Sequence, residues 1–161
     1  MLPHADNDRV ASRHQHWLSQ GKRDLDHARR SAANGDYEWA CFAAQQGAEK
    51  ALKAVFRRIG SEAWGHSVTG LLNALPPSVA FESDLATAAM DLDKHYIAAR
   101  SPSSYPEGAP FEYYTRGEAS RAIANAERLV DFCEGVLARS AEDDRDDQES
   151  NEGGSATLPR S

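Results

Sequence analysis

Residues 35–60 read GDYEWACFAAQQGAEKALKAVFRRIG, and this stretch decides the fold. It contains no proline, and Tyr37, Cys41, Ala44, Ala48, Ala51, Leu52, Val55 and Ile59 recur at three- and four-residue steps. That period is the signature of one amphipathic helix face. Asn34–Gly35 is a natural stop for a preceding helix, and Gly60 closes this one. Asp36 is placed to cap its start. The almost opposite side carries Trp39, Ala43, Gln46, Gly47, Lys50, Lys53, Ala54 and Arg57. A tryptophan among alanine and glycine is not an ordinary solvated face. Small residues admit a second backbone, and tryptophan anchors interfaces. The helix is therefore central in a bundle or half of a homodimer seam that includes Trp39, Ala43 and Gly47. Lys50, Lys53 and Arg57 fall in one arc. As a solvated face this arc is supported by the i,i+4 pair Glu49/Lys53; as a binding face it meets phosphate.

Working outward, Val10, His14, Trp17, Leu18, Leu25, Ala28 and Ala32 keep a helical period up to Gly35. The linker SEAWGH (61–66) leads to a short helix with Leu71, Leu72 and Leu75, stopped by Pro76–Pro77. A fourth helix holds Leu85, Ala88, Ala89, Leu92, Tyr96 and Ala99. The last starts at Thr115, whose spacing to Glu118 is that of a capping box, and runs through Val136. Strand-type alternation is missing. The expected fold is all-α: an up-and-down bundle of four long helices and one short helix. It occupies residues 8–138, with a flexible N-terminus at 1–7. Residues 139–161 hold seven acids and three arginines with almost no apolar side chains. They read as a disordered acidic tail.

Between the fourth and last helices lies RSPSSYPEGAPFEYY (100–114), too long for a usual helix–helix connection. Its aromatics Tyr105, Phe111, Tyr113 and Tyr114 either fold the loop back on the bundle or serve a site. Across the 161 residues, Asp+Glu exceed Lys+Arg by 25 to 18, which excludes a coat of nucleic-acid-binding charge but not a local basic patch. No apolar run is long enough to span a membrane, and the N-terminus lacks a secretory h-region. Cys41 and Cys133 sit apart in helical patterns, favouring reduced thiols and a cytoplasmic location. There is no Gly-rich phosphate loop. Asp91 and His95 are an i,i+4 pair, but two ligands do not make a metal site. No metal or cofactor is expected.

The string 35–60 resembles the second helix of HEPN domains (higher eukaryotes and prokaryotes nucleotide-binding domains). WLSQGKRDLDHARRSAANGDY (17–37) is similar to that family's first helix. GHSVTGLL (65–72), DKHYIAARSPSSYPEG (93–108) and YYTRGEASRAIANAERLVDF (113–132) resemble its later segments, in order. The resemblance implies an up-and-down bundle that commonly dimerises, often beside a small nucleotidyltransferase partner in toxin–antitoxin or defence modules. Some members bind nucleotides; others are metal-independent ribonucleases with an Arg-x4–6-His motif. In the ribonucleases the arginine would steady phosphorane charge and the histidine would move a proton.

Here Arg100 aligns with the family arginine, but the last histidine is His95, so no histidine follows it. Arg9 and His14 have the motif spacing outside the matching region, and Arg58 and His66 are too far apart in sequence. Ser101 stands where many members have tyrosine. No catalytic residue is therefore assigned. The expected function is a non-catalytic subunit binding a nucleotide, RNA or a nucleotidyltransferase at a basic groove between protomers. Lys50, Lys53 and Arg100 would supply charge, and Tyr96 a stacking surface. The family's histidine before the short helix adds His66 as a ligand-site candidate. The alternatives are a ribonuclease toxin using an unrecognised histidine and a structural homodimer module.

Overall fold

The computed structural model describes residues 4–153, with side chains from residue 13 onward. Helix α1 (His4–Ala33) and α2 (Tyr37–Arg58) form a hairpin; α3 (Val68–Asn73), α4 (Ser83–Asp93), α5 (His95–Ala98) and α6 (Arg116–Glu152) follow. Two single 3₁₀ turns, Pro102–Ser104 and Pro110–Glu112, shape the long connection before α6. No strand occurs among the described residues.

Both hairpin helices end as their glycines require. Gly35 (φ 84°) donates to the Ala32 carbonyl at 3.1 Å, and Asp36 N–H reaches Ser31 O at 2.9 Å. Gly60 (φ 74°) and Ser61 repeat this on Arg57 O and Phe56 O, at 3.2 and 2.9 Å. Such paired bonds satisfy carbonyls that a helix end leaves open, and glycine, lacking a Cβ, adopts the positive φ at little cost. Asp36 occupies the N-cap of α2 but makes no side-chain capping bond, contrary to expectation. Thr115 does cap α6: its Oγ1 accepts from Glu118 N–H at 3.2 Å, and Glu118 Oε2 accepts from Thr115 N–H at 3.4 Å.

α2 is central. Its residues from Ala40 to Phe56 are buried on several sides, against α1, α6, α3 and α5. Leu52, Val55, Leu72, Leu92, Leu129 and Cys133 are fully enclosed in the core. The small residues opposite its apolar face are explained by α1: a Cβ on Gly47 would lie 2.8 Å from Gly21 O, and one on Gly21 would lie 2.8 Å from Gly47 O. The two backbones touch. Gly47 is thus spent on a crossing within the chain.

Two further expectations change. The fourth helix is interrupted at Lys94, giving α4 and the four-residue α5, although Lys94 keeps right-handed helical angles (φ −58°, ψ −25°). The segment read as a disordered tail is helical as far as Glu152. Its Ser-Ala-Glu-Asp-Asp-Arg run has no helix breaker before Gly153. Residues 141–153 are all exposed, and among the described residues only Arg58 reaches back to the segment, pairing with Asp144 and donating to Ser140 O at 3.4 Å. In the segment read as a flexible N-terminus, residues 4–7 begin α1. Residues 1–3 and 154–161, and the Arg9 side chain, lie outside the described residues.

Candidate functional site

One flank of α2 carries a polar system. Glu49 is 4 % exposed, yet it is ionisable. A buried carboxylate is tolerated when its oxygens are bonded. Its Oε1 accepts from Lys53 Nζ at 2.8 Å and lies 3.1 Å from His66 Nδ1, and its Oε2 accepts from Gln46 Nε2 at 2.9 Å. Gln45, fully buried, donates from Nε2 to the His66 carbonyl at 2.7 Å. Two α2 side chains therefore fix both the backbone and the ring of His66.

The start of α3 is held from α4. Asp93 accepts from Val68 N–H at 2.8 Å, Thr69 N–H at 2.9 Å and the Ser67 hydroxyl at 2.9 Å. Ser67 Oγ in turn accepts from Gly70 N–H at 2.9 Å. One carboxylate thus satisfies donors that open helix starts otherwise leave to water. His66 is left where the linker meets this anchor.

The His66 ring stacks on Tyr96, with centroids 5.0 Å apart and planes at 15°. Beyond Tyr96 lies Arg100, whose guanidinium carbon sits 4.7 Å from the Tyr96 ring and 4.2 Å from Phe42. Arg100 Nε and Nη2 both donate to the Tyr96 carbonyl, at 2.8 and 2.6 Å. A guanidinium has five N–H groups, so about three remain for a ligand. Arg100 is exposed and pairs with no carboxylate of the described residues. Phe42 continues to Trp39, edge-on at 6.1 Å. Lys53, His66, Tyr96 and Arg100 thus form one connected row.

Lys50 stands outside that row. It turns to α1 and pairs with Asp24. The difference is rotational: three residues along a helix advance nearly a full turn but not quite, so Lys50 and Lys53 reach different neighbours. Trp39 and Ala43 line a cleft of about 230 Å³ with Lys50, Phe42, Asp24 and His27. Trp39 is 49 % exposed there.

Other candidates resolve into structure. His95 Nδ1 lies 2.9 Å from the Tyr114 hydroxyl, while Asp91 pairs with Lys94 at 3.1 Å, so the Asp91/His95 pair is divided between partners. Burial holds the His95 imidazole below its ordinary pKa. Burial pushes the Cys41 thiol up to about 12 and raises that of Cys133, leaving both protonated and unreactive near neutrality. Tyr105 stacks on Tyr113 at 4.2 Å and donates to Ala98 O at 3.1 Å, and Tyr113 donates to Glu107 O. These aromatics fold the long connection back on itself; Phe111 remains exposed. Among the described residues no group of three or more His, Cys, Asp or Glu is placed to hold a metal ion, and no helix is long and apolar enough to cross a membrane.

Sequence reading missed Glu49 as the organiser of His66, Asp93 as the anchor of α3, and Phe42 beneath Arg100. It also passed over Trp64, which is 84 % exposed beside His66. The WGH triplet was the available signal for Trp64.

The HEPN domain model matches residues 14–136. The chain is similar to TT1696 from Thermus thermophilus, with 46 % identity and a TM-score of 0.76, over 77 % of this chain and 98 % of that one. It is also similar to an archaeal HEPN homologue, at 41 % identity and a TM-score of 0.65, over 76 % of this chain and 95 % of that one. An HEPN domain protein from Thermotoga maritima has 41 % identity and a TM-score of 0.64, over 77 % of this chain and 98 % of that one. No curated protein matches significantly. With its sequence matched over most of the bundle and its fold shared with these structures, the chain belongs to the HEPN domain family.

Proposed function

We propose that the chain is a non-catalytic subunit that binds a nucleotide along the Lys53–His66–Tyr96–Arg100 row. The carrying observation is Arg100: a guanidinium set between Phe42 and Tyr96, bonded to one carbonyl and opposed by no carboxylate of the described residues. Such a group is pre-organised to fork onto phosphate oxygens. The Tyr96–His66 stack beside it offers flat surface to a sugar or base. Lys53 is largely neutralised by Glu49, so it shapes the row more than it charges it. Family resemblance adds a homodimer and a nucleotidyltransferase partner in a toxin–antitoxin or defence module. The exposed Trp39 and its cleft are the surface offered for either protein contact.

Calorimetry with ATP at low salt tests this reading. Arg100→Ala should weaken binding by about 1.5–3 kcal/mol, the worth of a lost charged hydrogen bond. Arg100→Lys should restore only part of it. Unchanged affinity in Arg100→Ala would refute the site.

A ribonuclease reading is favoured by one observation: the Tyr96 ring contacts both His66 and Arg100, which sequence separates widely. RNA cleavage in EDTA that disappears in His66→Ala would establish that reading and displace the first.

A further inference from the structure

We propose that the cleft between α1, the end of α2 and the 61–66 linker is the nucleobase pocket of the site, with Trp64 as its stacking platform; this rests on the nucleotide reading above. Trp17, Lys53, Arg57, Trp64 and His66 line a cleft of about 260 Å³, together with Ala63 and Gly65. Clefts for whole drug-sized ligands run from about 300 to 1,000 Å³. This one suits a single ring system, with the rest of the ligand outside.

Trp64 is 84 % exposed, and its indole makes no ring or cation contact among the described residues. It is nevertheless held on a short, fixed crest. Ser61 N–H is bonded to Phe56 O at one end, and the His66 carbonyl and Ser67 hydroxyl are bonded to Gln45 and Asp93 at the other. Gly65, at φ 88°, turns the chain between Trp64 and His66. With the backbone held, stacking orders only the two torsions of the indole, and its π-face accepts any base.

The opposite wall has the complementary polarity. Lys53 Nζ and the Arg57 guanidinium each lie 5.7 Å from the Trp17 ring centroid. Arg57 is paired only loosely, 3.6 Å from Glu62, so its N–H groups are open to ring-nitrogen or carbonyl acceptors on a base edge. His66 belongs to both places: it lines this cleft and stacks on Tyr96, whose ring touches Arg100. A nucleotide lying along the row would therefore place its base at Trp64 and its phosphates at Arg100.

Calorimetry on the full chain, with ATP and with tripolyphosphate as a base-free probe, separates the two ends. Trp64→Ala should weaken ATP about tenfold and leave tripolyphosphate within twofold, while Trp64→Phe keeps most of the ATP affinity. Arg100→Ala should weaken both probes. Circular dichroism verifies that each variant folds. If Arg100→Ala weakens ATP but Trp64→Ala leaves it within twofold, the base pocket is overturned and the nucleotide reading stands. An equal loss of both probes in Trp64→Ala also overturns it. If wild-type protein binds neither probe, both proposals fall.

Discussion

Along α2, the flank facing α1 and the flank facing the 61–66 linker use opposite means. Toward α1, Gly47 meets Gly21 backbone to backbone, with Leu25 and the Cβ of Lys50 close by and the Lys50–Asp24 ion pair beside the crossing. Toward the linker, Gln45, Gln46, Glu49 and Lys53 spend their polar atoms on His66 and on one another. The first flank lets two backbones meet because both positions lack a side chain, and the Lys50–Asp24 pair ties helix to helix beside that contact. The second holds an exposed imidazole in one orientation while leaving its surroundings open to solvent. A single helix thus joins a close backbone seam to a polar cradle.

The largest effect should come from closing the seam. Gly47→Leu puts a side chain where a Cβ already meets backbone oxygen at 2.8 Å. The helices must separate, so the chain should lose about 3 kcal/mol or more in urea unfolding. A variant of wild-type stability would break the contrast between the flanks. Next, Asp93→Ala strips three donors of their acceptor at the start of α3. It should cost about 1–3 kcal/mol and loosen His66, seen as amide exchange near residues 66–69 rising above that of α2. Uniform protection would show that the cradle does not depend on α4.

A smaller effect concerns pH at the far side of α2. Burial depresses the His95 pKa from its ordinary 6.5, with Lys94 and Arg121 acting in the same direction and Glu118 and Asp91 against it. The unfolded chain therefore takes up this proton first as the pH falls. The stability contribution is complete above about 6.5 and declines as the pH drops toward the depressed value. His95→Gln should flatten that part of the stability profile; an unaltered slope would remove His95 as its source. The smallest effect is expected from deleting residues 140–161. Among the described residues their link to the bundle is Arg58, and an ion pair with one exposed partner is worth about 1 kcal/mol or less. A melting temperature that falls by many degrees would make the acidic helix part of the fold.

The helices were readable because their signals are local. Residues 35–60 carry period, stop and small-residue face within one string, and Thr115 with Glu118 announces α6 within four residues. The break at Lys94 was not readable, since Leu85 to Ala99 keep one apolar period across it. The helical course of 139–152 was hidden for a different reason: it buries almost nothing, and composition reports burial better than backbone state. For the site, Lys53, His66, Tyr96 and Arg100 were named singly from charge, aromatic character and resemblance. Their connection runs through Glu49, Gln45, Asp93 and Phe42, whose partners lie 17 to 48 positions away in the Glu49–His66 and Gln45–Asp93 contacts. Such pairings have no periodic signature. Lys50 shows the converse, since charge and spacing grouped it with Lys53 while rotation about the helix gave it to Asp24.

The most direct test of the nucleotide site is its map. In a ¹H–¹⁵N titration of the full chain with ATP, chemical-shift changes should concentrate at Lys53, Trp64 to Ser67, Tyr96 and Arg100, including the Trp64 indole and Arg100 Nε signals. The Gly21–Gly47 crossing should stay still. Changes confined to the α1–α6 groove around Lys22 and Arg29, or no change at saturating ATP, would contradict the account.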